Sequence, residues 1–304
     1  MLDVLWAPML FPVWVLRVLP LPAIVIGGLV AHAHGVSAKA FGVNVVAAVL
    51  GLALVAVLAR RSWENVIRRV LAIAITVELL LATTCLFPDL EGVSRWIALG
   101  PVRLNASAVT MPWLLLAVAG LLSQGRPALA LVVIAVSQAL HVLQPDAGQA
   151  TAFGVGAAVL IGATRTLATG WRGVGCALAV MGVAGAWLRP DPLGAVPHVE
   201  RILHMAADRG APWLVAALVT LGALVLPAAY GAMWLRSVRS EAAPLAAAFA
   251  LYFGATLVVT ELGNFPVPVL GAGAGPVLGW YSLLGILQLA VQGAPRAANQ
   301  DPAM

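Results

Sequence analysis

Apolar residues run through this chain in long blocks, and the polar residues fall between the blocks instead of alternating within them. Blocks near 17–34, 41–59, 67–87, 107–123, 127–143, 148–165, 173–188, 212–235, 243–261 and 276–293 match the length a helix needs to cross a hydrocarbon layer about 30 Å thick. No segment shows the period of two that a membrane β-barrel requires. The pattern predicts an all-α polytopic membrane protein of about ten transmembrane helices. They form a single domain, 1–293, whose long polar loop at 188–211 carries a short amphipathic helix, and a disordered tail follows at 294–304. Ahead of the first block, Asp3 stands where a signal peptide would be basic, and Arg17, Pro20 and Pro22 interrupt the apolar run. That favours a short interfacial helix with Arg17 snorkelling at the membrane edge.

Composition agrees with the pattern: 62% of residues are hydrophobic, only 10% are charged, and the mean hydropathy is +0.99. The formal net charge of +5 has no dense basic run behind it, so membrane lipids are the expected partner of the arginines and nucleic acid is not. With a cytoplasmic N-terminus, one side of the membrane receives Arg17, Arg60, Arg61, Arg68, Arg69, Arg126, Arg165, Arg172, Arg236, Arg239 and Arg296. The other receives Lys39, Arg95, Arg103, Arg189, Arg201 and Arg209. The excess on the first side predicts cytoplasmic N- and C-termini. Cys85 and Cys176 lie within apolar runs and offer neither a disulfide framework nor metal-ligand spacing.

This topology sorts the loops. The cytoplasmic connections are short and basic, whereas the outer ones are rich in Pro, Gly and polar residues, which places a functional site on the outer face. The longest, Leu188–Gly210, holds Arg189, Asp191, His198, Glu200, Arg201, His204, Asp208 and Arg209. After Pro197 it reads as a short helix ended by Gly210. Glu200, His204 and Asp208 stand at successive i,i+4 positions and so share one face, suited to a divalent cation such as Mg or Mn, to acid–base work, or to solvated helix-stabilising pairs. Arg95 beside Trp96 suits a phosphate group at the interface, or equally a helix-end contact. Asp146, after Gln144 and Pro145, stands where an acid caps the sixth span. Pro266, Pro268 and the glycines after them break the helix at membrane depth, which is tolerated beside a cavity. Glu78 and Glu261 are placed to line that cavity, or to pack in it as protonated or hydrogen-bonded groups.

Three motifs in these loops resemble the SEDS family, the FtsW, RodA and SpoVE proteins of bacterial division, elongation and sporulation. Arg95–Gly100 is similar to the family's R-W-I-x-L-G, Gln144–Gly148 to its Q-P-D-L-G, and Pro266-Val267-Pro268 with Gly271, Gly273 and Gly275 to its last glycine-rich motif. The loop around Pro197–Gly210 takes the position of the family segment whose aspartate is held essential for glycosyl transfer. Here Val199 or Glu200 falls near that aspartate, and Asp208 near a Glu-Glu pair. A family acid and lysine at the fourth span are matched by Ala108 and Met111, so the scaffold motifs are kept better than the chemical ones.

The resemblance implies a peptidoglycan-type glycosyltransferase of the bacterial cytoplasmic (inner) membrane that polymerises a lipid-linked precursor, a polyprenyl-pyrophosphate sugar such as lipid II, on the outer face. Glu200 is then the catalytic carboxylate. The substrate cavity comprises Arg95, Trp96, Gln144, Asp146, His198, Arg201, His204, Asp208, Glu261, Pro266 and Pro268, and Glu200, His204 and Asp208 are candidate metal ligands. Two other readings stand beside it. One is a non-catalytic scaffold or lipid-binding subunit docking a single-span partner, as family members dock class B penicillin-binding proteins; the other is a transporter of the lipid-linked precursor.

Overall fold

The computed structural model describes residues 13–87, 89–100 and 102–294. It is an all-α polytopic membrane fold. Among the described residues, six helices are long and apolar enough to cross a membrane: the first span Trp14–Ala33, the second Ala38–Leu58, the fourth Ala106–Ser123, the eighth Ala211–Ser237, the ninth Ala243–Glu261 and the tenth Ala274–Gly293. The third (Val70–Leu86), fifth (Pro127–Leu143) and sixth (Ala147–Ala163) are shorter apolar helices, and Thr169–Trp187 is the seventh. The predicted tail and interfacial helix lie almost wholly outside the described residues.

Several of these helices begin where local chemistry satisfies their free N–H groups. Asn105 accepts from the Ala108 N–H at 2.8 Å and Asp146 from the Gln149 N–H at 3.1 Å, each capping its span through a side-chain oxygen. Pro127, Pro212 and Pro244 sit in first turns, where a missing N–H costs nothing.

The tenth and fourth spans are the most enclosed, and the others pack around them. The second and third spans flank this central pair, and the ninth contacts the sixth and the eighth. Close approach is bought with glycine: a Cβ on Gly279 would overlap the Ala108 carbonyl, and one on Gly27 the Leu270 carbonyl. Small residues at such crossings let backbones meet where lipid provides no hydrophobic drive.

Two features differ from the sequence reading. The first span is already helical at Val13, and the Tyr281 hydroxyl, two turns inside the tenth span, donates to the Arg17 carbonyl at 2.9 Å. The backbone at Arg17 is therefore packed against the tenth span. The loop before the fourth span contains a β-hairpin, Trp96–Leu99 paired antiparallel with Val102–Asn105, in which Trp96 faces Asn105. Its turn uses Gly100 at φ 60°. A two-strand ribbon of four residues each is too short to leave a periodic signal beside the apolar runs.

The break before the tenth span is held from the second span. Asn44, fully buried, donates to the carbonyls of Val269 (3.2 Å) and Gly271 (2.9 Å) and accepts from the Gly273 N–H at 2.8 Å. Irregular backbone at membrane depth must find partners inside the protein. One amide side chain supplies three of them.

Candidate functional site

The hairpin, the Pro145 turn, the 188–210 loop and the 262–273 break all gather on one face, and they enclose a cavity of about 150 Å³. Its polar lining comes from Arg95, Trp96, Asn105, Asp146, Gln149, Glu200, Tyr252, Thr256 and Asn264, with Pro266 and Pro268 forming part of the wall. Sequence positions more than a hundred residues apart thus converge on one space.

Arg95 is buried at the foot of the hairpin. Its Nε donates to the Pro145 carbonyl at 3.0 Å, Nη2 donates to the same oxygen, and Nη2 also bonds the Asp191 carboxylate at 2.5 Å. The guanidinium lies over the Phe265 ring, 5.4 Å from its centroid. Burial of this cation is therefore compensated by a carbonyl, a carboxylate and an aromatic face. Asp146 divides its oxygens: Oδ1 caps the sixth span, while Oδ2 is buried without a hydrogen-bond partner among the described residues.

Glu200 reaches the cavity, but by a different helix from the one the sequence suggests. Pro197–Glu200 is one short helix and Ile202–Asp208 another, separated at Arg201, whose φ of −115° and ψ of 21° end the first. The Glu200 carboxylate accepts from the Val196 N–H at 2.6 Å, turning back over its own helix start. Burial pushes its pKa above the ordinary 4.5, and that hydrogen bond with the charges of Arg95 and Arg201 pulls partly the other way. Backbone bonds fix this turn against the break: the Val267 N–H donates to the Val199 carbonyl and the Ala272 N–H to the His198 carbonyl, both at 3.0 Å.

The interruption at Arg201 dissolves the predicted metal triad. His204 faces Glu261, with Nε2 3.8 Å from its carboxylate, both side chains half-exposed. Asp208 is exposed. No group of three His, Cys, Asp or Glu side chains among the described residues is arranged to hold a metal ion. The i,i+4 face existed only on a continuous helix.

Other expected cavity residues serve elsewhere. Gln144 is buried but ties three spans: it donates to the Leu81 carbonyl (3.1 Å) and the Thr84 hydroxyl (2.7 Å), and accepts from Ser107 at 3.3 Å. Arg201 Nη2 donates to the Asn264 side-chain Oδ1 at 2.8 Å and so orients a cavity residue without lining the cavity. His198 is outside the lining, its pKa lowered by burial. Glu261 lies on the exposed face with His204. Glu78 is bound to Ser137 at 2.6 Å, between the third and fifth spans and away from the cavity.

Five polar lining residues stand outside the sequence-predicted set: Asn105, Gln149, Tyr252, Thr256 and Asn264. Tyr252, an isolated phenol in an apolar run, donates to Gln149 Oε1 at 3.0 Å, and Asn264 donates to the Leu193 carbonyl at 3.0 Å. A lone phenol inside an apolar run is a signal for Tyr252, whereas Asn264 lies in the break and carries no such mark. Ala108 lines the cavity and Met111 is fully buried, so these two positions pack as apolar groups.

The sequence of residues 9–189 matches the profile of the family described as cell cycle protein, FtsW/RodA/SpoVE. The fold is similar to that of the rod shape determining protein RodA of Thermus thermophilus, with a TM-score of 0.71 at 21% identity, covering 95% of this chain and 99% of that one. A mutant form of that RodA gives 0.70 at the same identity and coverage. A chain from a structure titled as the coordination of polymerization and crosslinking by a peptidoglycan synthase complex gives 0.64 at 22% identity, covering 93% and 98%. No curated protein matched in sequence. At these identities the structural likeness establishes the fold.

Proposed function

The chain belongs to the FtsW/RodA/SpoVE family of cell cycle proteins, and from that premise we propose that it is a glycosyltransferase of bacterial envelope assembly. It acts in the cytoplasmic membrane, termini inward, and joins the sugars of a lipid-linked precursor such as lipid II on the outer face. The observation that carries this reading is the convergence of Glu200 with Arg95 and Asp146 on one cavity walled by Pro266 and Pro268.

The chemistry asked of the cavity is modest. The Glu200 carboxylate takes the proton of an acceptor sugar hydroxyl. The hydroxyl oxygen bonds to the anomeric carbon of the donor, and the bond from that carbon to the pyrophosphate oxygen breaks, releasing polyprenyl pyrophosphate. A base whose pKa is raised towards the working pH is better matched to this transfer than an ordinary carboxylate. Glu200 stands on a turn fixed by backbone bonds to the break, which supports a held geometry. The free Oδ2 of Asp146 and the Tyr252–Gln149 pair offer hydrogen bonds to sugar hydroxyls. The residues predicted to hold a metal do not assemble, so no step here runs through one.

The test is polymerisation of lipid II by the purified protein. Glu200→Gln should lower the rate by about 10²–10⁴-fold, the usual worth of a positioned general base. Equal rates in the two proteins would remove Glu200 from the mechanism.

A second reading has its own support. The family aspartate is missing, with Val199 or Glu200 near its position, and Ala108 and Met111 stand where its acid and lysine would be, which suits a scaffold that docks a single-span partner of the class B penicillin-binding type. Absence of turnover in the wild-type protein together with a stable membrane partner in pull-downs would select it.

A further inference from the structure

The segment that covers the cavity is held by side chains and not by a backbone ladder. Pro190–Ala195 make no backbone–backbone hydrogen bond with any described residue, although Arg189 before them and Val196 after them do. Three side-chain contacts hold the segment down. Asp191 bonds Arg95 at 2.5 Å, Asn264 donates to the Leu193 carbonyl at 3.0 Å, and the Val196 N–H donates to Glu200 at 2.6 Å. Asp191 also accepts from the Leu193 N–H at 3.3 Å, so these two residues travel together.

A second cavity, of about 190 Å³, lies on the other side of the same contacts. Leu193, Gly194 and Val196 line the first cavity, Asp191 and Arg189 the second, and Arg95, Asn264 and Phe265 line both. The partition between the two spaces is thus built from the residues that hold the segment. Arg95 keeps both of its bonds to the Pro145 carbonyl if Asp191 leaves, so the open state does not strand a buried cation.

We propose that Pro190–Val196 form a strap latched by the Arg95–Asp191 ion pair, and that its release joins the two cavities into one open groove where the freed guanidinium faces an anionic substrate group. The inference rests on the reading of the first cavity as the place of glycosyl transfer and adds what controls entry to it. Asp191 occupies on Arg95 the place a phosphate oxygen would take, so the strap and an anionic ligand compete for one cation.

Access is measurable without turnover. Cys85 and Cys176 are free and exposed, so Cys85→Ser and Cys176→Ala provide a background for one reporter, Ala108→Cys, in the wall of the first cavity. Its rate of modification by a water-soluble methanethiosulfonate should rise about tenfold in Asp191→Asn, a change that keeps the side chain's size and removes its charge; tenfold corresponds to about 1.4 kcal/mol. Asn264→Ala, which removes a different anchor, should raise it in the same direction. An unchanged rate in both variants overturns the latch. So does a matching rise at Ala157→Cys, buried in the sixth span and remote from the lining, because that would report general loosening. Faster labelling in a protein that never polymerises lipid II would uphold the latch and refute the enzyme reading. Polymerisation with unchanged labelling would do the reverse.

Discussion

Replacing Asn44 by Leu tests what holds the broken backbone before the tenth span. The two side chains are close in size, so the substitution leaves packing nearly intact while deleting three hydrogen bonds. The Val269 and Gly271 carbonyls then lose their donor and the Gly273 N–H loses its acceptor, all at a site with no exposure at Asn44. An unsatisfied buried polar group costs about 1–3 kcal/mol. Three such groups cost about 3–9 kcal/mol and burying a leucine side chain in place of an amide returns roughly 1.5–3 kcal/mol, so the net loss centres on ~4 kcal/mol. Asn44→Asp makes the same point without apolar gain, since it keeps the acceptor for Gly273 and turns a negative oxygen towards two carbonyls; it should cost at least as much. Thermal unfolding of the purified protein in detergent, followed by size-exclusion, reads the difference. With roughly 2–4 °C per kcal/mol for chains approaching this size, the midpoint should fall by about 8–16 °C. A Leu variant melting within about 1 °C of wild type would refute the claim that this side chain sustains the break.

Three further outcomes follow from the packing and from Glu200. Gly279→Ala and Gly27→Ala put a methyl into the Ala108 and Leu270 carbonyls, and each should destabilise by about 1–3 kcal/mol. Gly254→Ala, which meets nothing within 4 Å, should be neutral or raise the melting point slightly. Gln144→Leu should cost about 2–4 kcal/mol by releasing the Leu81, Thr84 and Ser107 contacts, with substrate affinity unaltered because the residue is outside the cavity. Glu200 must be ionised to act as base, and its folded pKa is raised by burial. The acid limb of the rate–pH profile should therefore lie above the ordinary carboxylate value of 4.5, and Arg201→Gln should move it higher still. The same shift has a stability sign: the native form keeps the proton where the unfolded chain has released it, so stability falls as pH rises through that window. Glu200→Gln should abolish both effects in a pH series of melts and rates.

How far the sequence carries the structure depends on the range over which each signal is written. Span lengths and the proline, glycine and capping residues that bound them are local, so ten helices were legible from the runs alone. Asp146 shows the limit: its place before the sixth span predicts the cap made by Oδ1, but nothing in the chain shows that Oδ2 is left facing a cavity. The Glu200, His204 and Asp208 face failed for a local reason with a distant cause. Arg201 leaves the helix while its guanidinium bonds Asn264 and the preceding turn is pinned to Val267 and Ala272. A tertiary contact thereby overrides the periodicity that four-residue spacing assumes. Asn44 carries the same lesson in the other direction. Within its own apolar run it is a single polar residue with no partner to suggest, and its purpose is visible only beside backbone more than two hundred residues away. Side chains whose partners lie far along the chain decide where this cavity stands and what lines it, so the loops could be assigned to one face from sequence while the roles of Arg95, Asp191 and Asn264 could not.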